Sequence, residues 1–524
     1  MANLMSVFAP RQGLEATTSA IILPPSSPTP FTFSYARLHE LVLDLQSQLA
    51  SFGLAPGASV SSSLVNGIEF TLAFLATGAE RLVAAPLNPN YSQGEVEFYL
   101  QDTKSQLLLL PKGALKAGHP AVDAAKKVGG VQVVEIVFDP SAKGSVSLVR
   151  PDGTKVGKNS HIRKPQDDDV ALVLHTSGTT GRPKGVPLTH RNLYTTMGNI
   201  IGTYNLTPAD RTYLVMPLFH VHGLLCGLLA TLLSGGSAVI PPKFSASVFW
   251  NELATNGCNW YTAVPTIHQM LLNSPLPNPV PKLRFIRSCS SALSPSTFHA
   301  IEKTFKAPVL EAYAMTEAAH QMTSNPLPPA KRKPGTVGIG HGVEIRILDD
   351  QGLEVPQGTI GEVCVRGANV TKGYLNNPKA NEESFVTTAE NRGFFRTGDQ
   401  GRKDADGYVE LVGRIKELIN RSGEKISPLE VDAALLAVDG VKEAVSFAMP
   451  DKLYGEKVGA VVILHQGKEH LGEQQIQQAM QGKLTKFKIP ERIWITDAIP
   501  KTATGKIQRK NVAATFLRKD GAKL

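Results

Sequence analysis

A stretch near the middle of the chain carries residue types that bind phosphate. Residues 170–174 are apolar and predict a buried strand. The seven residues after His175 hold four hydroxyl side chains and two glycines, and Pro183-Lys184-Gly185 follows them. Glycines let the backbone approach a ligand, while hydroxyls and a lysine supply donors and a positive charge. The stretch predicts a polyphosphate-binding loop whose candidate residues are Thr176, Ser177, Gly178, Thr179, Thr180, Gly181 and Lys184.

The loop differs from the common phosphate loop, G-x-x-x-x-G-K-[ST]. Counted from Gly178, Pro183 stands where the second glycine belongs, and Gly185 follows Lys184 where a hydroxyl residue belongs. Magnesium binding in the manner of that motif is therefore excluded. The alternative is a flexible connector, but connectors rarely follow a buried strand and end in Pro-Lys-Gly.

Two further segments end in residues that suit a ligand cleft. Residues 285–293 and 311–317 each run from an apolar strand pattern into small polar residues. Ligands bind at the carboxyl ends of strands in open α/β sheets, so we expect both segments to border one cleft. There Tyr313 can stack on an adenine, Thr316 can bond a phosphate, and Glu317 is an oxygen ligand suited to Mg²⁺.

The elements that must position these residues alternate between helical and strand patterns up to about residue 330, which predicts α/β architecture with mainly parallel sheets. We expect residues 140–169 to be a connecting loop and residues 336–412 to be a β-rich subdomain. After Gly413 the pattern suits a compact α+β unit. The predicted fold is a large N-terminal domain of αβ-layered subdomains plus the β-rich subdomain, residues 1–412, and a small mobile α+β C-terminal domain, residues 413–524.

Composition fits a globular protein of this design. The 524 residues are 42% hydrophobic and 19% charged, with a formal net charge of +9. The basic residues are scattered, so nucleic acid is a weak alternative as main partner, although an added RNA-binding role stays open. Four widely spaced cysteines predict neither a zinc site nor a disulfide framework. We expect a soluble protein, because the N-terminus lacks a signal-peptide core and no apolar stretch is long enough to span a bilayer.

The sequence T-S-G-T-T-G-R-P-K-G resembles the phosphate loop of the acyl-adenylate-forming superfamily. In that family an aromatic residue of the following Y-G-x-T-E block lies on adenine and its Glu binds magnesium. The resemblance assigns these roles to Tyr313 and Glu317 and implies ATP, Mg²⁺ and the co-substrate CoA. It adds a nucleotide-binding segment that consists of Glu311, Ala312, Tyr313, Ala314 and Met315.

Three later motifs follow in the same family order. The resemblance makes Asp399 of Arg396-Thr397-Gly398-Asp399 an acceptor for the ribose hydroxyls. In the segment 413–417 it places Arg414 on ribose and makes Lys416 the hinge. Lys506, in the segment 500–509, is the catalytic lysine by the same resemblance. The candidate catalytic residues are Lys506, Thr316, Glu317 and His220.

The identity of the acid is suggested by histidines. By resemblance His220 lies between the acyl pocket and the CoA channel, and we expect His222 to be structural. His320 stands where aryl- and fatty-acyl relatives have a small residue, and it offers a donor or a positive charge. Such a pocket suits a short, doubly charged acid. Its predicted lining is His220, Ser290, Ser291, Ala292 and His320.

The whole chain resembles the oxalate–CoA ligases of plants and fungi, which predicts an AMP-forming ligase for oxalate, ATP and CoA. An aryl acid, a medium-chain acid or malonate remains the alternative. The chain ends in Ala522-Lys523-Leu524, one substitution from the S-K-L peroxisomal address. This tail predicts an import-receptor partner and the peroxisome matrix as location, with the cytoplasm as the alternative.

Overall fold

Two large β-sheets dominate the computed structural model, which describes residues 2–11, 13–141, 143–176, 183–502 and 507–519. A 3₁₀ turn (Leu4–Phe8) is followed by β1 (Ser19–Leu23), β2 (Phe31–Ser34), α1 (Tyr35–Ala50), β3 (Ser59–Ser62), α2 (Ile68–Ala79), β4 (Val83–Pro86), α3 (Gln93–Asp102), β5 (Leu107–Pro111), α4 (Pro120–Val128), β6 (Gln132–Asp139) and β7 (Ser145–Val149).

The next segment contains most of the candidate site. Its elements are β8 (Val170–Thr176), β9 (Lys184–Thr189), α5 (His190–Tyr204), β10 (Arg211–Tyr213), a π-helix (His222–Leu229), α6 (Ala230–Leu233), β11 (Ser237–Val239), α7 (Ala246–Thr255), β12 (Trp260–Ala263), α8 (Pro265–Leu272), β13 (Phe285–Ser288), α9 (Pro295–Phe305), β14 (Val309–Met315), a 3₁₀ turn (Thr316–Ala318), β15 (His320–Ser324) and β16 (Ile339–Gly340).

The strands form a seven-stranded sheet in the order β7-β6-β5-β3-β4-β8-β9 and a nine-stranded sheet in the order β16-β15-β14-β13-β12-β10-β11-β1-β2. The central pairs are parallel and the outer pairs antiparallel. Strands buried on both faces read as continuous apolar runs, and β5 has four consecutive buried leucines. The predicted α/β architecture with mainly parallel sheets is confirmed.

The main hydrophobic core joins the two large sheets. It draws buried side chains from strands of both sheets and from α1, α2, α5 and the π-helix. The caps of these helices follow local rules, since the Ser34 hydroxyl accepts from the Arg37 amide at the start of α1 and Thr189 caps α5. The core therefore fixes the two sheets relative to each other, and with them the strand ends that carry the site.

The predicted connecting loop at residues 140–169 is wrong in one part. Strand β7 pairs antiparallel with β6 and forms the edge of the seven-stranded sheet. Val146 and Leu148 are buried on it, while their neighbours are exposed or half-buried. Two alternating apolar residues are too few to give a clear strand pattern in sequence.

A four-stranded antiparallel sheet follows and confirms the predicted β-rich region. Its elements are β17 (Glu344–Leu348), β18 (Gly361–Arg366), α10 (Pro378–Ser384), β19 (Phe395–Lys403) and β20 (Val409–Arg414). The chain leaves this sheet through a 3₁₀ turn, Ile415–Glu417.

The remaining elements form a separate five-stranded sheet with flanking helices. They are β21 (Ile419–Arg421), β22 (Glu424–Ile426), α11 (Pro428–Leu436), β23 (Val441–Asp451), β24 (Gly455–Leu464), α12 (Glu473–Met480), β25 (Arg492–Ile495) and α13 (Arg509–Lys519). This is the smaller α+β unit expected after Gly413, while the exact boundary at residue 413 stays a prediction. Among the described residues, no helix has the length and apolar character that crossing a bilayer requires.

Candidate functional site

The flanks of the predicted phosphate loop are held together by strand pairing. Thr176, the last residue of β8, lies opposite Lys184, the first residue of β9. Next to Thr176, the His175 Nε2 atom lies 2.8 Å from the Asp102 carboxylate at the end of α3. Five candidates lie outside the described residues: Ser177, Gly178, Thr179, Thr180 and Gly181.

Lys184 and Glu317 are linked through a residue that the sequence analysis missed, Tyr374. The Lys184 ammonium lies 4.5 Å from the centre of the Tyr374 ring. The Tyr374 hydroxyl donates to the Glu317 carboxylate over 2.8 Å. Burial, and then the Glu317 charge, raise the pKa of Tyr374, so this hydroxyl stays a donor at neutral pH. Tyr374 thus contacts both the lysine that is predicted to bind phosphate and the Glu317 carboxylate.

The segment from Thr371 to Leu375 ties together parts of the two large sheets. The Thr371 amide donates to the Glu317 carbonyl over 2.7 Å, and the Leu375 amide donates to the Gly185 carbonyl over 2.7 Å. Gly373 has a φ of 140°, and an added Cβ would lie 2.8 Å from Asn381. Only glycine fits this turn without strain. In the sequence, the glycine at position 373 directly before Tyr374 is the feature that could have predicted a functional turn here.

We expect Tyr374→Phe to slow adenylate formation by about tenfold or more, because a hydrogen bond to a charged group contributes about 1.5–3 kcal/mol. The substitution keeps the ring beneath Lys184 and removes only the donor to Glu317. Exchange of labelled pyrophosphate into ATP measures the effect.

Tyr408 provides a matched control for that experiment. A lysine, Lys333, also lies over its ring, and its hydroxyl also donates a hydrogen bond, to the Lys331 carbonyl. Tyr408→Phe is expected to leave exchange near the wild-type rate. Wild-type exchange by Tyr374→Phe would contradict the positioning role.

The Glu317 carboxylate has the chemistry of a ligand to a nucleotide-bound metal. It is buried, with 7% of the residue exposed, and its oxygens are hard donors. Across the described ranges no group of three or more His, Cys, Asp or Glu side chains could hold a metal ion by itself. Mg²⁺ commonly binds through one or two carboxylates plus substrate phosphates. Glu317 therefore fits a metal that arrives with a triphosphate.

The predicted ribose site is brought together from three segments. The Tyr313 hydroxyl donates to the Asp399 carboxylate. Arg414 lies opposite Asp399 in the β19–β20 ladder, with Nε 3.5 Å from an Asp399 oxygen. Burial, followed by the Asp399 charge, raises the pKa of Tyr313 well above its ordinary value, so the hydroxyl remains protonated. An anionic acceptor flanked by two donors suits recognition of neighbouring hydroxyls.

The other residues of the predicted nucleotide segment lie along β14. Ala312 is buried, whereas Ala314 and Met315 are half-buried at the strand end, before Thr316 opens the 3₁₀ turn. Glu311 is buried, and its carboxyl accepts from the Gly335 amide over 2.9 Å. Burial raises the pKa of Glu311 to about 8, and the Gly335 donor offsets part of that rise. Glu311 is therefore mainly protonated at neutral pH.

The Glu311 carboxyl should make stability depend on pH. Its pKa is higher in the folded state than in the unfolded state, so its contribution is complete below its ordinary pKa and is lost as the pH rises through about 8. We expect Glu311→Gln to reduce the fall in Tm between about pH 6 and pH 9 by about 2–4 °C. Calorimetry measures the two slopes. Glu302→Gln, on α9, leaves Glu311 ionisable and should keep the wild-type slope.

The predicted acid pocket is built around a pair of stacked imidazoles. His222, the first residue of the π-helix, is buried and lies 5.2 Å from His320, ring centre to ring centre. The Ser290 hydroxyl is 3.1 Å from His222 Nδ1, and His220 Nδ1 accepts from the His222 amide over 3.3 Å. His222, the residue expected to be structural, thus contacts three residues of the predicted pocket lining, His220, Ser290 and His320. Ser291 and Ala292 are exposed at its rim.

Two residues of the predicted pocket lining have strained backbone conformations. Ser290 has a φ of 74° and His320 a φ of 109°, values that side-chain-bearing residues rarely adopt. The His320 Nε2 atom is buried without a hydrogen-bond partner among the described residues. Strained residues and unpaired buried polar atoms occur preferentially where a ligand is bound.

The predicted hinge and the segment around the predicted catalytic lysine lie after β20. Lys416 is exposed in the 3₁₀ turn Ile415–Glu417, between the four- and five-stranded sheets. Lys506 lies outside the described residues. The ends of its segment are joined by an antiparallel bridge between Lys501 and Ile507, and the Lys501 ammonium lies 2.6 Å from Glu443.

Comparisons with known proteins show the family of the chain. The chain matches the family model described as AMP-binding enzyme over residues 16–375 and that of the AMP-binding enzyme C-terminal domain over residues 430–506. It is 49% identical to an oxalate–CoA ligase of Saccharomyces cerevisiae over 476 residues, 88% of this chain and 87% of that protein. It is 48% identical to an oxalate–CoA ligase of Arabidopsis thaliana over 496 residues, 93% of this chain and 94% of that protein.

Among solved structures, ATP-bound MatB from Rhodopseudomonas palustris is similar over its whole length. The TM-score is 0.87 and the identity 30%, with 100% of both chains covered. The predicted two-part architecture is thus confirmed by a complete structural match.

Proposed function

Because this chain belongs to the family of AMP-binding enzymes, we propose that it is an ATP-dependent acid–CoA ligase that converts oxalate to oxalyl-AMP and then to oxalyl-CoA. The observation that carries the choice of acid is the stacked pair His222–His320. His320 lies three residues beyond Glu317, and its buried Nε2 atom lacks a hydrogen-bond partner among the described residues. A short polar acid can satisfy that nitrogen, whereas an aliphatic chain leaves it without a partner.

In the first step, a carboxylate oxygen of oxalate attacks the α-phosphorus of ATP. The bond from that phosphorus to the bridging oxygen breaks, and pyrophosphate leaves. Lys184 orients the phosphates, Asp399 and Arg414 hold the ribose, and Lys506 bridges the acid and the α-phosphate. Glu317 would hold a Mg²⁺ ion that arrives with the nucleotide, and the ion would supply neutralisation of phosphate charge. Positioning supplies much of the rate, because well-oriented reactants can gain about 7–11 kcal/mol.

In the second step, the CoA sulfur attacks the acyl carbon of oxalyl-AMP, and the thiol proton is released to solvent. The bond from that carbon to the phosphate oxygen breaks, and AMP leaves. We assign the change between the steps to a turn of the C-terminal unit about Lys416, which withdraws Lys506 from the site. The exposed position of Lys416 in a three-residue turn between two separate sheets supports this assignment.

A panel of acids, followed by pyrophosphate release in the presence of ATP and CoA, tests the proposed substrate. Oxalate should give the highest kcat/KM, ahead of malonate, benzoate and octanoate. Equal or better use of any of the other three acids would reject oxalate as the substrate while leaving the ligase chemistry in place.

For location, we propose import into the peroxisome matrix by a receptor that reads Ala522-Lys523-Leu524. These three residues lie outside the described residues, and the support is their likeness to S-K-L. Deleting them from a chain tagged at its N-terminus should change a punctate distribution to a diffuse one. A punctate distribution after deletion would reject the proposal.

A further inference from the structure

Arg287 is a charged residue with an unusual environment. It lies on β13 and is fully buried, with 0% of the residue exposed. Its guanidinium donates to the Tyr204 hydroxyl over 2.7 Å, to the Thr262 hydroxyl over 3.2 Å and to the Gln321 side-chain oxygen over 3.3 Å. All three acceptors are neutral.

Within the described ranges no carboxylate lies at ion-pair distance from Arg287, whereas a neighbouring half-buried arginine has one. Arg284, three residues earlier on the chain, lies 2.8 Å from the Asp210 carboxylate. A buried charge without a counter-ion is costly even when it is hydrogen-bonded. A buried positive charge that has no counter-ion can attract an anion that binds close by.

The acid pocket lies next to this charge. Arg287 Nη1 is 3.5 Å from His222 Nε2, and the same nitrogen of His222 is 2.7 Å from the Thr262 hydroxyl. On its other side, His222 contacts Ser290 and stacks on His320. The imidazole ring of His222 therefore lies between the Arg287 guanidinium and the Ser290 hydroxyl.

His320 does not supply this positive charge. Burial lowers the pKa of His320 well below its ordinary value, and the charge of Arg287 lowers it further, followed by His222 and His220. His320 is neutral at physiological pH and can offer a donor. The sequence left open whether His320 offers a hydrogen-bond donor or a positive charge. Only the donor remains, and the fixed positive charge belongs to Arg287.

We propose that Arg287 is the positioning residue that makes the pocket selective for a doubly charged acid. The His222–His320 pair lies between the guanidinium and the proposed acid. Across this pair, the positive charge of Arg287 attracts the carboxylate of oxalate that is not adenylated. This inference rests on the proposed use of oxalate and adds the residue that distinguishes a dianion from a monoanion of the same shape.

Oxamate provides the probe, because it replaces one carboxylate of oxalate with an amide of nearly the same size. The readout is the oxalate-to-oxamate ratio of kcat/KM, measured by pyrophosphate release with one enzyme preparation, so that a loss of folded protein cancels. We expect Arg287→Met to lower this ratio by about tenfold or more, the scale of one interaction with a charged group. Arg287→Lys keeps the charge and should retain most of the ratio.

Arg284→Met is the matched control. It removes an arginine that also contacts Tyr204, through that residue's carbonyl, but whose charge is paired with Asp210. Its ratio should equal the wild-type ratio. An unchanged ratio in Arg287→Met, or an equal loss in Arg287→Lys and Arg287→Met, would overturn the role of the charge.

A pH series on the wild-type chain gives a second test that needs no variant. The groups facing Arg287 and His320 are His220, His222, Cys226, Cys289 and Tyr204. Burial raises the pKa of Cys226 to about 11 and that of Tyr204 to about 12, so both stay neutral. The ratio should be constant between about pH 6 and pH 9, because an arginine does not titrate there.

The outcomes separate the inference from the proposed function. A ratio that falls as histidines deprotonate would assign the charge to an imidazole and overturn the inference. A wild-type chain that shows no preference for oxalate in the acid panel would reject the proposed substrate instead. Preference for oxalate in the panel, with an unchanged ratio in Arg287→Met, would reject the inference alone.

Discussion

Lys506→Ala is expected to slow formation of oxalyl-AMP by about two orders of magnitude or more, the scale of losing one donor to the transition state. In the proposed reaction this ammonium bridges the acid and the α-phosphate, where negative charge converges. The substitution should leave CoA transfer from supplied oxalyl-AMP near the wild-type rate, because Lys506 is withdrawn before that step. Pyrophosphate exchange measures the first half-reaction, and thioester formation measures the second.

Lys501→Ala provides the control, since this lysine lies in the same segment but is paired with Glu443. It should leave adenylate formation within about threefold of wild type, as expected for a single half-buried ion pair. An equal loss in both half-reactions by Lys506→Ala would contradict the turn about Lys416. Wild-type exchange would contradict the assignment of Lys506 itself.

The second large effect is expected for Glu317→Gln. We expect adenylate formation to fall by about 100-fold or more, because the negative charge that fits the nucleotide-bound Mg²⁺ is removed. The amide oxygen of glutamine can still accept from the Tyr374 hydroxyl, so the contact of Glu317 with Tyr374 is kept. The rate should be measured by pyrophosphate exchange over a range of Mg²⁺ concentrations.

A readout that does not depend on activity distinguishes metal binding from general disruption. Mg·ATP should raise the Tm of the wild-type chain more than ATP with a chelator does, and Glu317→Gln should abolish that difference. Tyr374→Phe retains the Glu317 carboxylate and should therefore keep most of the difference in Tm between Mg·ATP and ATP with a chelator. Equal stabilisation of Glu317→Gln by ATP with and without Mg²⁺ supports the assignment, whereas a wild-type difference in this variant would show that the metal has other ligands.

The parts of the site that could be predicted from sequence are those whose chemistry is local. The residue types and spacing of the hydroxyl- and glycine-rich loop beginning at Thr176 predict phosphate binding, and Glu317 at a strand end predicts metal binding; both stay predictions. The contacts of Tyr313 with Asp399 and of Asp399 with Arg414 agree with the motif-based expectation that these residues serve one site. Parallel strands end at a common edge, which is why separate motifs could be expected to meet.

The parts that could not be predicted depend on packing between distant segments. Tyr374 has no motif that links it to Lys184 and Glu317, and these contacts exist because the segment 371–375 crosses between the two large sheets. Edge strand β7 was missed because only two alternating apolar residues mark it. The local pattern of apolar and polar residues does not reveal against which surface a turn will pack.

The chain's family, its two-part fold and its nucleotide motifs were therefore accessible from the order of residues alone, since each depends on local periodicity or on a contiguous motif. The burial of Arg287 beside the predicted acid pocket was not. Arg287 lies within an ordinary apolar strand pattern, and His222 looks like one histidine of a loop. The electrostatic roles of Arg287 and His222 depend on their burial and on contacts with residues that are distant in sequence. The free-energy cost and the pKa of a charged group depend on its surroundings in space.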